Sequence, residues 1–191
     1  MESLASRAKG FLFEPRATFK EVESEFTKPG EIWGKYVIPL ALIGPVMGAV
    51  SRLVFGWRLG SVRLADRPVS LPGALMWGAV AFVIALAAIF ILAWIISQLA
   101  PQFGGQKNDV QALKVAAYAS TPALIAGIFN IHGVFYVVTI LVSLYSLYLL
   151  YLGLPILMKV PQDRAMGYTA VVIIGAIVLF LLQSVRDYIT F

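Results

Sequence analysis

The groups in this sequence that could do chemistry are hydroxyls more than titratable side chains. Tyr145, Tyr148 and Tyr151 recur at helical spacing with Ser143 and Ser146 among them, and Tyr118, Ser120 and Thr121 stand just before Pro122. Hydroxyls in such apolar surroundings could line a polar cleft for a lipid headgroup or a partner's helix. The more economical reading is packing, in which they hydrogen-bond across a helix interface. Lys159, Asp163 and Arg164 could hold anionic headgroups, although a plain cationic loop explains them more simply. Gly104 and Gly105, with Lys107 close behind, mark a turn and are too little to form a phosphate cradle.

What is missing narrows the chemistry further. The chain has no cysteine and a single histidine, so disulfides, thiolate chemistry and multi-histidine metal sites are excluded. His132 stands near Asn130 with no second metal ligand close in sequence. Glu14, Glu21, Glu23 and Glu25 have the pattern of a solvated face. General acid-base catalysis needs a positioned titrating group, and the long apolar stretches contain only Arg52 and Lys114, each near an end where it can snorkel. No enzyme and no cofactor are expected, and an ion-coupled carrier is disfavoured for the same reason.

The elements that must position these residues are membrane spans. Leu71 to Leu99 contains no Asp, Glu, Lys, Arg or His. As a helix it reaches roughly 43 Å, more than the ~30 Å hydrocarbon core. With 191 residues, 60% of them hydrophobic, 13% charged and a mean hydropathy of +0.84, the chain reads as an all-α polytopic membrane protein. Five spans are expected, at about 36–55, 71–99, 110–129, 133–158 and 168–185. They form a transmembrane domain over 33–191, preceded by amphipathic membrane-surface helices over 1–32. The net charge of +5 is spread between spans, a pattern that suits anionic lipid and not nucleic acid.

Within the N-terminal segment, Leu4, Ala8, Phe11 and Leu12 share one helical face; after Pro15, Phe19, Val22 and Phe26 share another. Their expected posture is flat on the bilayer with the apolar side down, the rival being a helical pair packed on the bundle. Gly44 and Gly48 allow a neighbouring helix to come close, Pro39 and Pro45 should kink the first span, and Asn108 with Gln111 has the spacing of a capping box for the third. Pro122 should kink that third span and free a carbonyl in mid-membrane. Arg7, Lys9, Arg16, Lys20, Lys28, Lys35, Lys107, Lys114, Lys159 and Arg164 fall on one side, ten against the five of Arg52, Arg58, Arg63, Arg67 and Arg186. This excess puts the N-terminus in the cytoplasm and the C-terminus across the membrane.

Three stretches resemble the Yip-domain family of integral membrane proteins, named for interaction with Ypt/Rab GTPases, and more closely its bacterial branch. They are PRATFKEVESEF leading to YVIPLALIG, FGGQKNDVQALKVAAYASTPALI, and YLLYLGLPILMKVPQDRAMGYTAVVII. The resemblance implies five spans, a cytosolic N-terminus and a lumenal or periplasmic C-terminus, here a bacterial inner membrane. It also marks Gly104, Gly105, Tyr118, Pro122, Gly153, Pro155 and Lys159 as positions of the family's recurrent pattern. The Asp-Leu-Tyr-Gly-Pro signature of many eukaryotic members is absent, which counts against a Rab-type GTPase as partner.

The expected function is that of a non-enzymatic membrane adaptor or membrane-organising protein, docking lipids, a membrane-protein partner or a second copy at its cytoplasmic face. The candidate contacts are Gly104, Gly105, Lys107, Tyr118, Pro122, Tyr145, Tyr148, Lys159 and Arg164. The alternative is a passive transporter or channel for a small neutral or lipid-like solute, using the kinked third span and the tyrosines of the fourth.

Overall fold

The structure, a computed structural model, describes residues 3–56, 58–59, 62–63 and 70–189. Five of its helices are long and apolar enough to cross a membrane. They are α3 (Pro29–Phe55), α4 (Leu71–Leu99), the broken pair α5 (Asp109–Ala119) and α6 (Thr121–Ala126), α7 (Tyr136–Met158) and α8 (Gln162–Ile189). Two short helices precede them, α1 (Leu4–Phe13) and α2 (Pro15–Ser24). A two-residue antiparallel pair, β1 (Arg58–Leu59) and β2 (Val62–Arg63), is the only sheet among the described residues. The all-α five-span expectation holds. Arg67, counted above toward orientation, lies outside the described residues.

The helix α4 coincides with the longest apolar run and is capped by Ser70, whose Oγ accepts the Gly73 N–H at 3.4 Å. Two other spans begin earlier than hydropathy suggests. The first starts at Pro29 instead of residue 36, and the fifth at Gln162 instead of residue 168. Hydropathy marks where a chain enters lipid, whereas a helix starts where its first turn is preset. Pro29 presets one, and the carbonyl of Pro161 accepts the Arg164 and Ala165 N–H groups of the other. The connection between α7 and α8 thus shrinks to Lys159–Pro161. In α3 the backbone widens to a π turn at Trp33–Val37, ahead of Pro39, and is irregular again at Leu42, ahead of Pro45.

The centre of the bundle is α5, where every residue from Ala112 to Ala119 is buried. Its alanines let neighbouring helices come close, since lipid supplies no hydrophobic drive and packing must do the work. The tightest crossing lies farther along, where a Cβ added to Gly127 would stand 2.6 Å from the Gly44 Cα. Gly48, one turn on, receives the ring of Trp77, and the Arg52 guanidinium covers that ring at 3.4 Å. The small-residue pair of the first span therefore serves internal packing.

The N-terminal pair departs from the expected posture. The apolar side of α1 and α2 faces the bundle: Phe11, Phe19 and Val22 are fully buried in the common core. The reason is shape complementarity that no helical wheel contains. Gly153 of α7 leaves a notch in which a Cβ would lie 2.7 Å from the Phe19 ring, so the ring occupies the space a side chain would have taken. Phe26, assigned to the same stripe, is instead exposed, as is Phe13.

Candidate functional site

The end of the bundle that carries α1 and α2 is built around the carbonyls at a helix terminus. A helix leaves its last four carbonyls without intrahelical donors, and its C-terminus favours a cation. At the end of α2, the Ser24 hydroxyl donates to the Glu21 carbonyl at 3.0 Å. The other donors come from α5. Lys114 Nζ donates to the carbonyls of Val22 at 2.6 Å and Glu25 at 2.5 Å, and Gln111 Nε2 donates to that of Glu23 at 3.0 Å. Gln111 and Lys114 are three residues apart, hence on one face of α5. Lys114 does not snorkel as expected of a cation near a span end; it is buried beneath α2 because the carbonyls there replace its water shell.

One charge at this end is neutralised across two elements. The buried Arg7 guanidinium of α1 pairs with the Glu25 carboxylate at 3.0 Å, tying α1 to the segment after α2. Asn108 starts α5 by accepting the N–H groups of Val110 and Gln111 at 3.1 Å. Only half of the anticipated capping box forms, since the Gln111 side chain is committed to Glu23.

Below this cap runs a column of rings. Phe19 meets Phe11 edge-on with centroids 4.8 Å apart, Phe11 stacks on Tyr118 at 4.5 Å, and Tyr118 meets Tyr36 edge-on at 4.9 Å. Such pairs contribute about 0.5–1.5 kcal/mol each beyond their buried area. The column ends in a hydroxyl relay. Pro122 cannot donate to the Tyr118 carbonyl, and the Thr121 hydroxyl does so instead at 2.6 Å. Having spent its proton there, Thr121 Oγ1 must accept from the Tyr36 hydroxyl, 2.7 Å away. Beside the same break, Ser146 Oγ of α7 accepts the Ala123 N–H at 3.2 Å.

The sequence-selected residues separate into three groups. Gly104, Gly105, Lys107, Lys159 and Arg164 gather at the end covered by α2. There Gly104 (φ +77°) closes the turn after α4, and the Gln106 N–H donates to the Met158 carbonyl at 2.9 Å. A Cβ on Gly105 would approach that carbonyl to 2.8 Å, so only glycine lets the two connections touch. Lys107 Nζ donates to Gln98 at 3.1 Å, while Lys159 pairs with Glu23 and Arg164 with Asp163, both at 3.8 Å. Tyr118 and Pro122 are buried inside the bundle. The tyrosines of α7 divide: the Tyr145 hydroxyl donates to the Leu12 carbonyl at 3.1 Å, whereas Tyr148 and Tyr151 face outward.

Helical spacing does not single out Arg7, the bond of Gln111 to α2 or the role of Gly153, nor a groove of about 540 Å³ lined by Arg16 and Lys20 of α2 with residues of α7 and α8. The available signal for that groove was the i, i+4 spacing of the two cations. Among the described residues no group of three His, Cys, Asp or Glu side chains could hold a metal ion.

A five-span helical bundle whose N-terminal helices are keyed into one end defines an integral membrane protein of the polytopic α class. Within that class the chain belongs to the Yip1 family: the Yip1 domain matches residues 9–183, nearly the whole chain, including the second half of α1 and all of α2. No curated protein and no solved structure matches it significantly. The Yip1 family is one of non-catalytic membrane proteins.

Proposed function

We propose that this protein is a non-enzymatic membrane adaptor that docks a protein partner, or organises lipids, on the end of the bundle formed by α1, α2 and the α4–α5 and α7–α8 connections. The observation that carries the reading is the capping of α2 by Lys114 and Gln111, with Phe19 seated at Gly153. A helical pair held this way presents a rigid charged surface, and rigid presentation lowers the entropic cost of binding. Of the hydroxyls that could have marked a solute lane, those of Thr121, Ser146 and Tyr145 are hydrogen-bonded in packing, which favours docking over passage.

In this reading the membrane is a bacterial inner membrane, with the N-terminus cytoplasmic and the C-terminus periplasmic, an orientation that the excess of Lys and Arg at this end supports. The pair lies at the membrane surface, with exposed Phe13 and Phe26 available to the bilayer. Native mass spectrometry of protein extracted gently from its own membrane tests the proposal. A stoichiometric second protein supports it; turnover of a lipid or movement of a solute by the purified protein in liposomes overturns it.

A further inference from the structure

We propose that the groove between α2, α7 and α8 binds one anionic phospholipid, with its headgroup on Arg16 and Lys20 and an acyl chain along the exposed face of α7. The proposal rests on the reading of this end as a docking face and adds the class of lipid and the place where it sits.

The groove, about 540 Å³, has two chemically distinct parts. Its upper edge is cationic. Arg16 and Lys20 are four residues apart on α2, so both project from one face. Neither forms an ion pair or side-chain hydrogen bond among the described residues, whereas Arg7, Lys35, Lys159 and Arg164 each have a carboxylate within 4 Å. The floor and walls are largely apolar or aromatic and include Tyr151, Ile156 and Met166, with Gln162 as a polar contact near the top.

The depth of this groove fits a headgroup boundary. Its floor belongs to the last two turns of α7, which ends at Met158, and to the first turn and a half of α8, which starts at Gln162. From there Tyr151, Tyr148, Leu144 and Leu141 descend α7 at spacings of three and four residues, and all four are exposed. They form one stripe. Ten residues of helix cover about 15 Å, half of the ~30 Å hydrocarbon core and so the depth of one leaflet. A soluble anion would satisfy the cations and leave the stripe unused; a zwitterionic lipid would cover the stripe and leave the two positive charges uncompensated. An anionic phospholipid matches both parts.

The test uses the full chain in nanodiscs of phosphatidylcholine doped with phosphatidylglycerol, released intact for native mass spectrometry. One phosphatidylglycerol per chain is expected to be retained in preference to phosphatidylcholine. Combined Arg16→Gln and Lys20→Gln substitutions should weaken that retention about 30-fold, the effect of two surface charges on an anionic headgroup. Lys9→Gln with Lys28→Gln, a change of equal charge outside the groove lining, should leave it unaltered. Ala165→Trp keeps both cations but fills the groove and should also expel the lipid. Both exposed-cation variants should melt like the wild type in phosphatidylcholine alone.

Equal retention by the Arg16/Lys20 variant and the wild type overturns the assignment, as does displacement of the lipid by inorganic phosphate. Loss of an acidic protein partner from that variant, with phosphatidylglycerol still bound, overturns the lipid site and leaves the docking reading standing. Retained phosphatidylglycerol in a protein that also carries solute across liposomes does the reverse.

Discussion

Lys114 of the third span and the main-chain carbonyl of Val22, ninety-two residues earlier in the chain, meet at 2.6 Å in a site closed to solvent. The contact gives a span cation its counter-dipoles and a helix terminus its missing donor in one step. Both groups would be costly alone: a buried acceptor without a donor costs about 1–3 kcal/mol, and a buried ammonium without acceptors costs more.

Replacing Lys114 with Met should therefore detach α2 without dismantling the spans. We expect a loss of about 2–3 kcal/mol in the docking of the N-terminal pair. Hydrogen exchange should show amides 15–25 exchanging faster while those of α4 are unaffected. Equal protection in variant and wild type would show that the lysine does not hold the pair.

The Phe19 notch predicts a size rule. Gly153→Leu forces the ring out, since even a Cβ there would lie 2.7 Å from it. Phe19→Ala empties the notch at a cost of about 3–5 kcal/mol. Combining Gly153→Ala with Phe19→Leu should recover part of the loss from either change, a coupling that a double-mutant cycle in thermal unfolding would reveal. Strict additivity would contradict direct contact.

At the Gly44–Gly127 crossing the obstacle is backbone, so no rotamer can relieve it. Gly127→Ala should destabilise the bundle by about 1–3 kcal/mol or more. Gly34→Ala, where nothing lies within 4 Å of the added Cβ, should be nearly silent. Unfolding of both variants in a denaturing detergent titration separates the cases, and equal midpoints would refute the close crossing.

The relay at the third-span break predicts a shared loss. Thr121→Val removes the donor to the Tyr118 carbonyl and the acceptor for Tyr36 together, at about 1–3 kcal/mol. Adding Tyr36→Phe to that variant should cost little more, because the phenol has already lost its partner. If the double variant loses as much again, the two hydroxyls act independently.

Much of this architecture was legible because each cue had one physical outcome. A 29-residue run without charge had to be a span, and Pro122 had to release the Tyr118 carbonyl whatever surrounded it. The snorkelling expectation fails for Lys114 because the rule for a cation near a span end assumes water within reach, and the carbonyls that replace water come from a distant helix. The same limit hid the posture of α1 and α2. Helical spacing shows that Phe11 and Phe19 need an apolar partner, but cannot choose between lipid and a notch at Gly153. Hydroxyl-bearing residues were recognised as groups needing partners, and Tyr148 and Tyr151 show how one helix can divide such a set between its inner and outer sides.

The seat of Phe19 at Gly153 also sets an order for synthesis on the ribosome. The N-terminal helices are made first, yet the surface that receives them is incomplete until the fourth hydrophobic segment has left the insertion machinery. Lys114 must be delivered to the same end while its carbonyl partners are still waiting outside the bundle. Until then the first helices are exposed to chaperones and proteases, and their docking marks the moment at which membrane insertion has brought the right segments together.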